Sequence, residues 1–448
     1  MNHGDSMEFA ADLHVHSHHS RATSPGCTLE GLQGWAQRKG VRVVGTGDFT
    51  YPQWFAELRQ KLVLSAPGLF RLRPEYSARA NSEIPPACRS DVEFLLTAEI
   101  SSIYTRDGRT RKVHSLLLVP DLDSATAINT RLAAIGNIAS DGRPILGLDP
   151  RDLLEIVLEA HPGACLIPAH IWTPWFSMLG SKSGFDSAEE CFGDLVGHIF
   201  AVETGLSSDP PMNWRVGSLD RFTLVSNSDL HSPKNLGRNA TLFRCAVDYF
   251  AMLDALRTRS PDAFGGTIDL FPEQGKYHLD GHRKCGVCLE PEESLAKDNI
   301  CPACGKPLVL GVLHRVTALA DRPSGGQPGN PPHHEYIIPL PDLLSEITGV
   351  GPNSKRVQRL YHQLLATHGP ELAILRQLLP EQLAEAESGK LTEAIRRLRA
   401  GKVRRTPGYD GQFGTIRVFP QQVAEGRARL GITTSRYARG RGCRPLQG

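Results

Sequence analysis

The chain contains no apolar run that approaches the ~18 consecutive residues needed for a membrane-spanning helix. Its first ten residues also lack the basic and apolar stretches of a secretory signal. We therefore expect a protein without transmembrane segments, located in the cytoplasm. Aromatic residues are sparse at 7%, but hydrophobic residues make up 40%, which is enough for a globular interior. A length of 448 residues exceeds one ordinary core and predicts two or three domains.

Charge is distributed unevenly, although the net charge of the whole chain is only +2. Residues 351–448 contain 18 Lys and Arg against 7 Asp and Glu, a net charge of +11, which leaves −9 for residues 1–350. A basic segment attached to an acidic body is typical of proteins that bind a polyanion. The alternative, a solvated C-terminus, fits best for residues 427–444 alone.

Seven short apolar runs between residues 8 and 231 predict strands. They are Glu8–His16, Val41–Phe49, Glu93–Tyr104, Lys112–Pro120, Cys165–Trp172, His198–Thr204 and Phe222–His231. Patterns such as Leu29–Lys39 and Asp152–Ala160 predict helices between them. Alternating strands and helices form parallel βα units, and seven such strands are enough for a barrel-like closure.

Potential metal ligands stand at the end of nearly every predicted strand. They are His14, His16, Asp48, Glu99, His114, His170, Glu203, Asp229 and His231. Residues two apart in a strand face the same side, so His14/His16 and Asp229/His231 form two chelating pairs. Because a parallel barrel gathers the C-terminal ends of its strands at one rim, these side chains predict one metal cluster.

Imidazole and carboxylate ligands together suit zinc, manganese or iron, and Glu99 can bridge two ions. Two ions close together can activate water and stabilise a displacement at phosphorus, which predicts a metal-dependent phosphoesterase. A single His is more often a core or surface residue than a ligand, but the recurrence at successive strand ends favours a site. Glu203 can be a ligand, an orienting residue or a cap. Histidines without such placement are interpreted as surface residues: His18, His19, His161, His198, His333 and His334.

Six segments that contain these potential ligands resemble the motifs of the PHP (polymerase and histidinol phosphatase) metallophosphoesterases. They are Asp-Leu-His-Val-His-Ser (12–17), Gly-Thr-Gly-Asp (45–48), Thr-Ala-Glu (97–99), Val-His-Ser (113–115), Pro-Ala-His (168–170) and Asn-Ser-Asp-Leu-His-Ser (227–232). The resemblance spans most of residues 8–240 and implies a distorted (β/α)7 barrel with up to three metals. It matches the family's ligands to His14, His16, Glu99, His114, His170, Asp229 and His231. The chain departs from the family where Phe49 and Tyr51 stand at positions that often hold a third-metal His.

The spacing Cys285-x2-Cys288-x12-Cys301-x2-Cys304 is typical of a structural zinc site with four thiolates. A redox pair and idle thiols are the alternatives. Farther along, Thr348–Val357 looks like the Gly-x-Gly turn of a helix-hairpin-helix module, whose backbone amides bind phosphate, with Lys355 and Arg356 adding charge. Such a turn is as often only a turn.

The order of a PHP domain, a four-cysteine ribbon and a basic helical domain resembles the endonuclease Q family over nearly the whole chain. Local matches include Gly47-Asp-Phe-Thr50, Gly275-Lys-Tyr-His278 and Pro407-Gly-Tyr-Asp-Gly411. The expected limits are 1–280 for the barrel, 281–320 for the ribbon, 335–425 for a mostly α-helical DNA-binding domain and 426–448 for a flexible basic tail. We expect two or three active-site Zn, Mn or Mg ions and one structural Zn.

This second resemblance implies hydrolysis of the DNA phosphodiester 5′ to uracil, hypoxanthine, xanthine or an abasic site. We expect Glu99, Asp229 and His231 to be catalytic, and DNA to contact Arg21, Trp172, Lys276, Lys355 and Arg356, with Trp175 as a second stacking residue. A replication clamp is the expected protein partner. Two alternatives stay open: a small-molecule phosphatase similar to histidinol-phosphate phosphatase, and an inactive PHP scaffold that only binds DNA.

Overall fold

A computed structural model of the protein describes residues 8–383 and 389–419. The predicted tail, 426–448, lies outside the described residues. The strands are β1 Phe9–Asp12, β2 Val41–Gly45, β3 Leu62–Ala66, β4 Leu69–Leu72, β5 Glu93–Arg106, β6 Arg109–Val119, β7 Ile145–Leu146, β8 Cys165–Pro168, β9 Ala201–Glu203, β10 Thr223–Val225, β11 Ala240–Phe243, β12 Phe264–Asp269, β13 Asp280–His282, β14 Val287–Leu289, β15 His334–Tyr336, β16 Arg404–Thr406 and β17 Thr415–Arg417.

The helices are α1 Leu29–Lys39, α2 Pro52–Lys61, α3 Pro74–Asn81, α4 Leu122–Ile135, α5 Pro150–Ala160, α6 Ala188–Phe192, α7 Pro210–Asn213, α8 Tyr249–Thr258, α9 Pro291–Leu295, α10 Val312–Leu319, α11 Leu340–Thr348, α12 Lys355–His368 and α13 Lys390–Arg399. The fold is mixed α/β around a large central sheet. Within the described ranges eleven strands join this sheet, in the order β15-β12-β11-β1-β2-β5-β4-β3, with β6 and β7 on β5 and β8 on β6.

All seven predicted runs contain a strand, but the expectation of uniformly parallel strands is wrong at one place. β1, β2 and β5 are parallel, whereas β6 runs antiparallel to both β5 and β8. The reason is a tight turn at Asp107 and Gly108, both with positive φ, which joins β5 to β6 without a crossover helix. β9 and β10 form a separate parallel pair, so closure into a (β/α)7 barrel stays a prediction.

Side chains of the central strands are buried on both faces of the sheet. In β6, Leu117 packs in the larger core with α5 residues, while Leu116 and Leu118 point to the opposite face and pack beneath α8. A sheet covered on both faces leaves only the ends of its strands accessible to a ligand. A ligand site is therefore expected beside the loops that follow the strands.

The predicted C-terminal pieces pack against the rest of the chain. β15 adds to the central sheet beside β12, and the Gly408 amide donates to the Glu273 carbonyl at 2.8 Å. α11 and α12 flank the predicted Gly-containing turn, with Gly349 at a φ of 70° and Ser354 capping α12. The domain limits themselves stay predictions. In the part of the chain that the structure describes, every helix is too short or too polar to cross a membrane.

Candidate active site

Two loop segments run side by side beyond the ends of β1 and β10. Val15 bridges Leu230 in parallel, and the His16 amide donates to the Leu230 carbonyl at 3.2 Å. This pairing places His14 and His16 beside Asp229, although the segments are more than 200 residues apart in sequence. The two predicted His therefore lie just beyond a strand rather than within one.

The first group of converging ligands contains His14, His16, Glu99 and Asp229, whose ligand atoms all lie within 4.8 Å of one another. His16 Nε2 is 3.1 Å from Asp229 Oδ1 and 3.2 Å from Glu99 Oε2. His14 Nε2 is 3.4 Å from the same Glu99 oxygen. These atoms surround one point in the way that the ligands of one divalent ion do.

A second group shares Glu99 with the first. His114 Nδ1 lies 2.6 Å and His170 Nε2 lies 3.0 Å from Glu99 Oε1, and the three ligand atoms lie within 4.8 Å of one another. Each carboxylate oxygen of Glu99 thus belongs to a different group. This is the arrangement of a bridging carboxylate between two ions, as predicted for this residue.

The orientation of the His14 ring fits a metal ion. Its Nδ1 contacts both oxygens of Glu203, at 3.1 and 3.0 Å, which directs Nε2 at Glu99 and Asp229. That Nε2 is buried and has no hydrogen-bond partner among the described residues. A buried polar atom without a partner is costly, and a cation between these acids would satisfy it.

The electrostatics of the cluster also favour cations. Burial opposes protonation of His14, but Glu203, Glu99 and Asp229 outweigh it and raise the pKa of His14 well above its usual value. Burial works against ionised Glu99, yet His114, Arg143 and His14 outweigh it and hold the pKa of Glu99 well below its usual value. Glu99 is therefore ionised, and its negative charge attracts positive charge into the site.

Glu203 contacts several residues of the site, which favours the orienting role among the three left open for it. Besides His14, it accepts from the His170 amide at 2.8 Å and from Asn227 Nδ2 at 2.8 Å. Its side chain is fully buried, and these bonds use both of its oxygens. Residues that fix the tautomer of a metal ligand in this way raise its affinity for the ion.

Asp48 requires a correction, because the sequence predicts it as a metal ligand. Its Oδ2 accepts from the Ser17 amide at 2.7 Å and from the hydroxyls of Ser17 and Ser20 at 2.6 and 2.9 Å. Its Oδ1 lies 3.1 Å from His16 Nδ1. Both oxygens are thus engaged, and Asp48 holds the His16 ring instead of joining either ligand group.

His231 lies at the edge of the site, outside both ligand groups. Its Nδ1 contacts the Asp229 carbonyl at 3.1 Å, and its ring centroid is 4.7 Å from that of His16. A third of its side chain is exposed. Its predicted roles as ligand and catalytic residue stay predictions.

Three site residues adopt a backbone conformation that side chains with a Cβ rarely adopt. The φ angles are 50° for Asp48, 31° for His170 and 45° for Asp229. Such strain costs on the order of 1–3 kcal/mol per residue and persists where the surrounding structure enforces it, typically at functional sites. Gly47 permits the tight approach beside Asp48, since a Cβ there would lie 2.3 Å from the Val15 carbonyl oxygen.

A cavity of about 420 Å³ opens above the two ligand groups. Arg143 lines it, with Nη1 3.1 Å from Glu99 Oε2 and more than two thirds of its side chain buried. No sequence pattern marks this residue, because it lies in an irregular loop between α4 and β7. Its guanidinium is positioned to donate hydrogen bonds to an anionic group of a substrate in the cavity.

The predicted DNA contacts divide into buried and accessible residues. Trp172 is a correction: it is 1% exposed and its Nε1 donates to Asn213 Oδ1 at 2.7 Å, so it belongs to the core. Trp175, by contrast, is 42% exposed and lines the cavity. Arg21 lies at the cavity and pairs with Asp141 at 3.2 Å, and Lys276 lies 4.5 Å above the Phe413 ring. Lys355 and Arg356 are the first two residues of α12. They follow Arg21 by more than three hundred residues in the sequence.

The cysteine-rich segment forms a small ribbon, in which β13 pairs with β14 and Gly281 bridges Val309. The structure brings three of the four predicted cysteines together with His282 instead of Cys288. The ligand atoms of His282, Cys285, Cys301 and Cys304 lie within 4.8 Å of one another, and His282 Nδ1 is 3.3 Å from Cys304 Sγ. The predicted four-thiolate set stays a prediction, and both sets suit zinc.

Comparisons with known proteins extend over nearly the whole chain. Residues 339–402 match the family described as MJ0043 C-terminal domain. The uncharacterized protein YqxK of Bacillus subtilis is 28% identical over 91% of this chain and 98% of its own length. The uncharacterized protein MJ0043 of Methanocaldococcus jannaschii is 32% identical over 56% of this chain, a stretch that spans only 32% of that protein.

Two solved structures share the fold. The lesion-specific endonuclease PfuEndoQ from Pyrococcus furiosus has a TM-score of 0.80 and 29% identity over 94% of this chain and 98% of its own. An endonuclease Q in complex with a 27-mer duplex carrying an abasic lesion has a TM-score of 0.78 and 29% identity over the same shares. The likeness in fold over nearly the whole chain supports a nuclease of DNA repair at the family level. It also confirms the resemblance to endonuclease Q that the sequence predicts.

The Glu203→Gln substitution tests the orienting role of this carboxylate. We expect the affinity of the buried cluster for Mn²⁺ or Zn²⁺ to fall by roughly 10–100-fold, because one of the two acceptor oxygens that His14 and the His170 amide share becomes an NH2 donor. Titration against a chromophoric chelator measures the change. Glu155→Gln, on the exposed face of α5, is the matched control, and parental affinity in Glu203→Gln would contradict the assignment.

Replacement of Cys301, the most buried ligand candidate of the ribbon, tests the predicted zinc site of the ribbon. We expect Cys301→Ser to lose one zinc per chain, since a hydroxyl is a poor substitute for a thiolate. Cys245→Ser, outside the group, is the control, and metal analysis by mass spectrometry is the measurement. Retention of the full zinc content in Cys301→Ser would exclude both ligand sets, whereas zinc loss in Cys288→Ser would select the four-cysteine set over the set with His282.

Proposed function

We propose that the protein is a metal-dependent DNA repair endonuclease that hydrolyses the phosphodiester 5′ to a deaminated base or an abasic site. The proposed bases are uracil, hypoxanthine and xanthine. The observation that carries the proposal is the convergence of two ligand groups on the Glu99 carboxylate, beside a cavity that His114, His170 and Asp229 line. The abasic duplex bound by the endonuclease Q neighbour supports DNA as the substrate class.

The two ligand groups suit a pair of divalent ions such as Zn²⁺, Mn²⁺ or Mg²⁺. His14, His16, Glu99 and Asp229 would hold one ion, and Glu99, His114 and His170 the other. Such ions activate water and neutralise charge that develops on phosphoryl oxygens. In the proposed reaction the oxygen of water bonds to phosphorus and the bond to the 3′-oxygen breaks, which leaves a 3′-hydroxyl and a 5′-phosphate.

The chain's own side chains position the scissile phosphate in this proposal. Arg143 has most of its stem buried and its guanidinium against Glu99, so it can donate to a phosphate oxygen without losing much side-chain freedom. Arg21 is largely exposed on the same cavity and can bind a neighbouring phosphate. Positive charge at both positions would hold the backbone of the cleaved strand across the site.

The cavity also offers space for an extruded nucleotide. A damaged or mispaired base leaves the duplex at a cost of only a few kcal/mol, and an aromatic ring can then stack on it. Trp175 is accessible on the cavity wall and lies 6.4 Å from the Tyr277 ring in an edge-on contact. We propose Trp175 as the stacking residue, in place of the buried Trp172.

The region after residue 339 would hold the flanking duplex. The turn between α11 and α12 presents Lys355 and Arg356 at the N-terminal end of a 14-residue helix, where backbone amides and basic side chains favour phosphate. The net charge of +11 after residue 350 supports this role. A replication clamp stays a predicted partner.

A cleavage assay tests the function. The protein with Mn²⁺ or Mg²⁺ is incubated with an end-labelled duplex that contains one uracil, hypoxanthine or abasic nucleotide. We expect a single nick on the 5′ side of the lesion, which disappears with a chelator and in Glu99→Gln because both ligand groups lose their shared carboxylate. Glu155→Gln should cleave like the parent.

Each alternative function has its own outcome in the same assay. Phosphate release from a monoester with intact duplex would indicate a small-molecule phosphatase. Binding of the lesion duplex without cleavage, in protein with its metals bound, would indicate an inactive scaffold. Either result would overturn the proposed endonuclease.

The two tryptophans form a matched pair for base recognition. Trp175→Ala should weaken nicking at the lesion by roughly 5- to 150-fold, since stacking on one base is worth about 1–3 kcal/mol. Trp172→Phe should instead lower the free energy of unfolding by about 1–3 kcal/mol, because Asn213 Oδ1 loses its donor. Nicking rates and thermal unfolding of both variants separate the roles, and a parental rate in Trp175→Ala would remove it from base recognition.

A further inference from the structure

We propose that His18, His19 and Glu57 form a separate binding site for a divalent transition-metal cation, with zinc as the ion its ligands suit best. On sequence alone, both histidines are interpreted as surface residues. The structure brings them together with Glu57 of α2, with ligand atoms within 4.8 Å of one another. The proposal concerns this cluster alone and does not depend on the nuclease activity.

The distances between the histidine nitrogens and the Glu57 oxygen are somewhat longer than those between ligand atoms bound to one ion. His19 Nε2 is 3.6 Å and His18 Nε2 is 4.0 Å from Glu57 Oε1, too far for hydrogen bonds. Zinc binds such ligands at about 2.0–2.2 Å, which places neighbouring ligand atoms roughly 3.3 Å apart. Contraction of the two nitrogen-to-oxygen distances by less than about 1 Å would therefore bring Glu57 and each histidine to the separation of ligands on one ion, with a further position left for water.

The tautomer of His18 is set for metal binding. His18 Nδ1 donates to the Cys27 carbonyl at 3.3 Å, so the lone pair of its Nε2 faces Glu57. His19 Nε2 is shielded from solvent and has no hydrogen-bond partner in the described part of the chain. A backbone carbonyl on one ring nitrogen and a cation on the other is the usual environment of a ligating histidine.

The rings are held in place by aromatic neighbours. The His18 and His19 ring centroids are 4.1 Å apart, His19 stacks on Tyr51 at 4.5 Å, and Trp54 packs edge-on against His18 at 5.5 Å. The cluster is therefore preorganised, and binding an ion would cost little side-chain entropy.

The surrounding charges leave the proposed position available to a cation. Lys61 binds the other oxygen of Glu57, Oε2, at 3.2 Å and thereby directs Oε1 toward the histidines. Its ammonium is also paired with Glu30 at 3.1 Å, which offsets its repulsion of an ion. The arrangement matches two imidazoles and one carboxylate, a ligand set selective for first-row divalent ions over Mg²⁺ or Ca²⁺.

An ion at this position would link the loop between β1 and α1 to helix α2. That loop carries Ser17 and Ser20, whose hydroxyls hold Asp48, and Asp48 in turn holds His16. The proposed ion therefore fixes the loop that orients one ligand of the buried cluster. It acts as a positioning element, since none of its three ligands belongs to the two groups around Glu99.

Metal counting on the full-length protein tests the proposal. Parent, His19→Ala, Glu57→Gln and the control His362→Ala, an exposed histidine on α12, are dialysed against a buffer of micromolar free zinc and analysed by mass spectrometry. We expect His19→Ala and Glu57→Gln each to contain one zinc fewer than the parent, and His362→Ala to match it. The parent should also gain thermal stability from zinc in the micromolar range, a gain that His19→Ala lacks.

Equal zinc content in the parent and in His19→Ala would overturn the site. If a variant does not fold, as judged by circular dichroism, anomalous diffraction from zinc-loaded crystals of the parent decides the question. A peak between His19 Nε2 and Glu57 Oε1 supports the proposal, and its absence in crystals that show zinc elsewhere refutes it. The ions around Glu99 and in the ribbon give separate peaks and serve as internal references.

Discussion

Desolvating a carboxylate costs several kcal/mol unless cations and hydrogen-bond donors compensate, and Glu99 is almost fully buried at the centre of the chain's functional region. His14 and His16 approach one of its oxygens, and His114 and His170 approach the other. These contacts require that the loops after β1, β8 and β10 meet the middle of β5 and β6 at one place. The architecture of the first 240 residues is therefore constrained by the need to surround one negative charge.

The residues around this centre form two concentric layers. In the inner layer are the side chains whose nitrogen and oxygen atoms converge on Glu99. In the outer layer, Glu203 and Asp48 hold one histidine each through Nδ1, and their remaining oxygens are used by backbone amides and hydroxyls. Because each outer carboxylate is fully engaged, the inner rings have a fixed tautomer and direction before any ion or substrate arrives.

The C-terminal part of the chain contributes to the same unit. β15 extends the central sheet, and Arg405 pairs with Glu273 at 2.9 Å, beside the segment that contains Lys276. The ribbon lies between these contacts, with His314 bound to Asp280 of β13 at 2.6 Å. A basic helical region anchored in this way has a defined position relative to the two ligand groups around Glu99. Such an arrangement suits a long, rigid polyanion that must contact both.

Much of the site could be predicted because strand ends, His-x-His spacing and paired cysteines are local patterns. Local spacing placed His14, His16, Glu99, His114, His170 and Asp229 in one cluster, and the structure brings these six together. The same pattern also predicted Asp48 as a ligand, although in the structure it orients His16. The position of a carboxylate near a strand end does not indicate which residue it will contact. The same ambiguity applies to Trp172, which follows a ligand in sequence but points into the core.

The sequence by itself determined which types of residue lie in and after the strands. These residue types set the chemistry that is available to the site. Only the tertiary structure decided the direction of β6, the presence of Arg143 beside Glu99 and the meeting of His18 and His19 with Glu57. Each of these depends on loops of different length being brought together by packing. Local sequence encodes the conformation of a loop only weakly, because its position is set by contacts with residues far away in the chain.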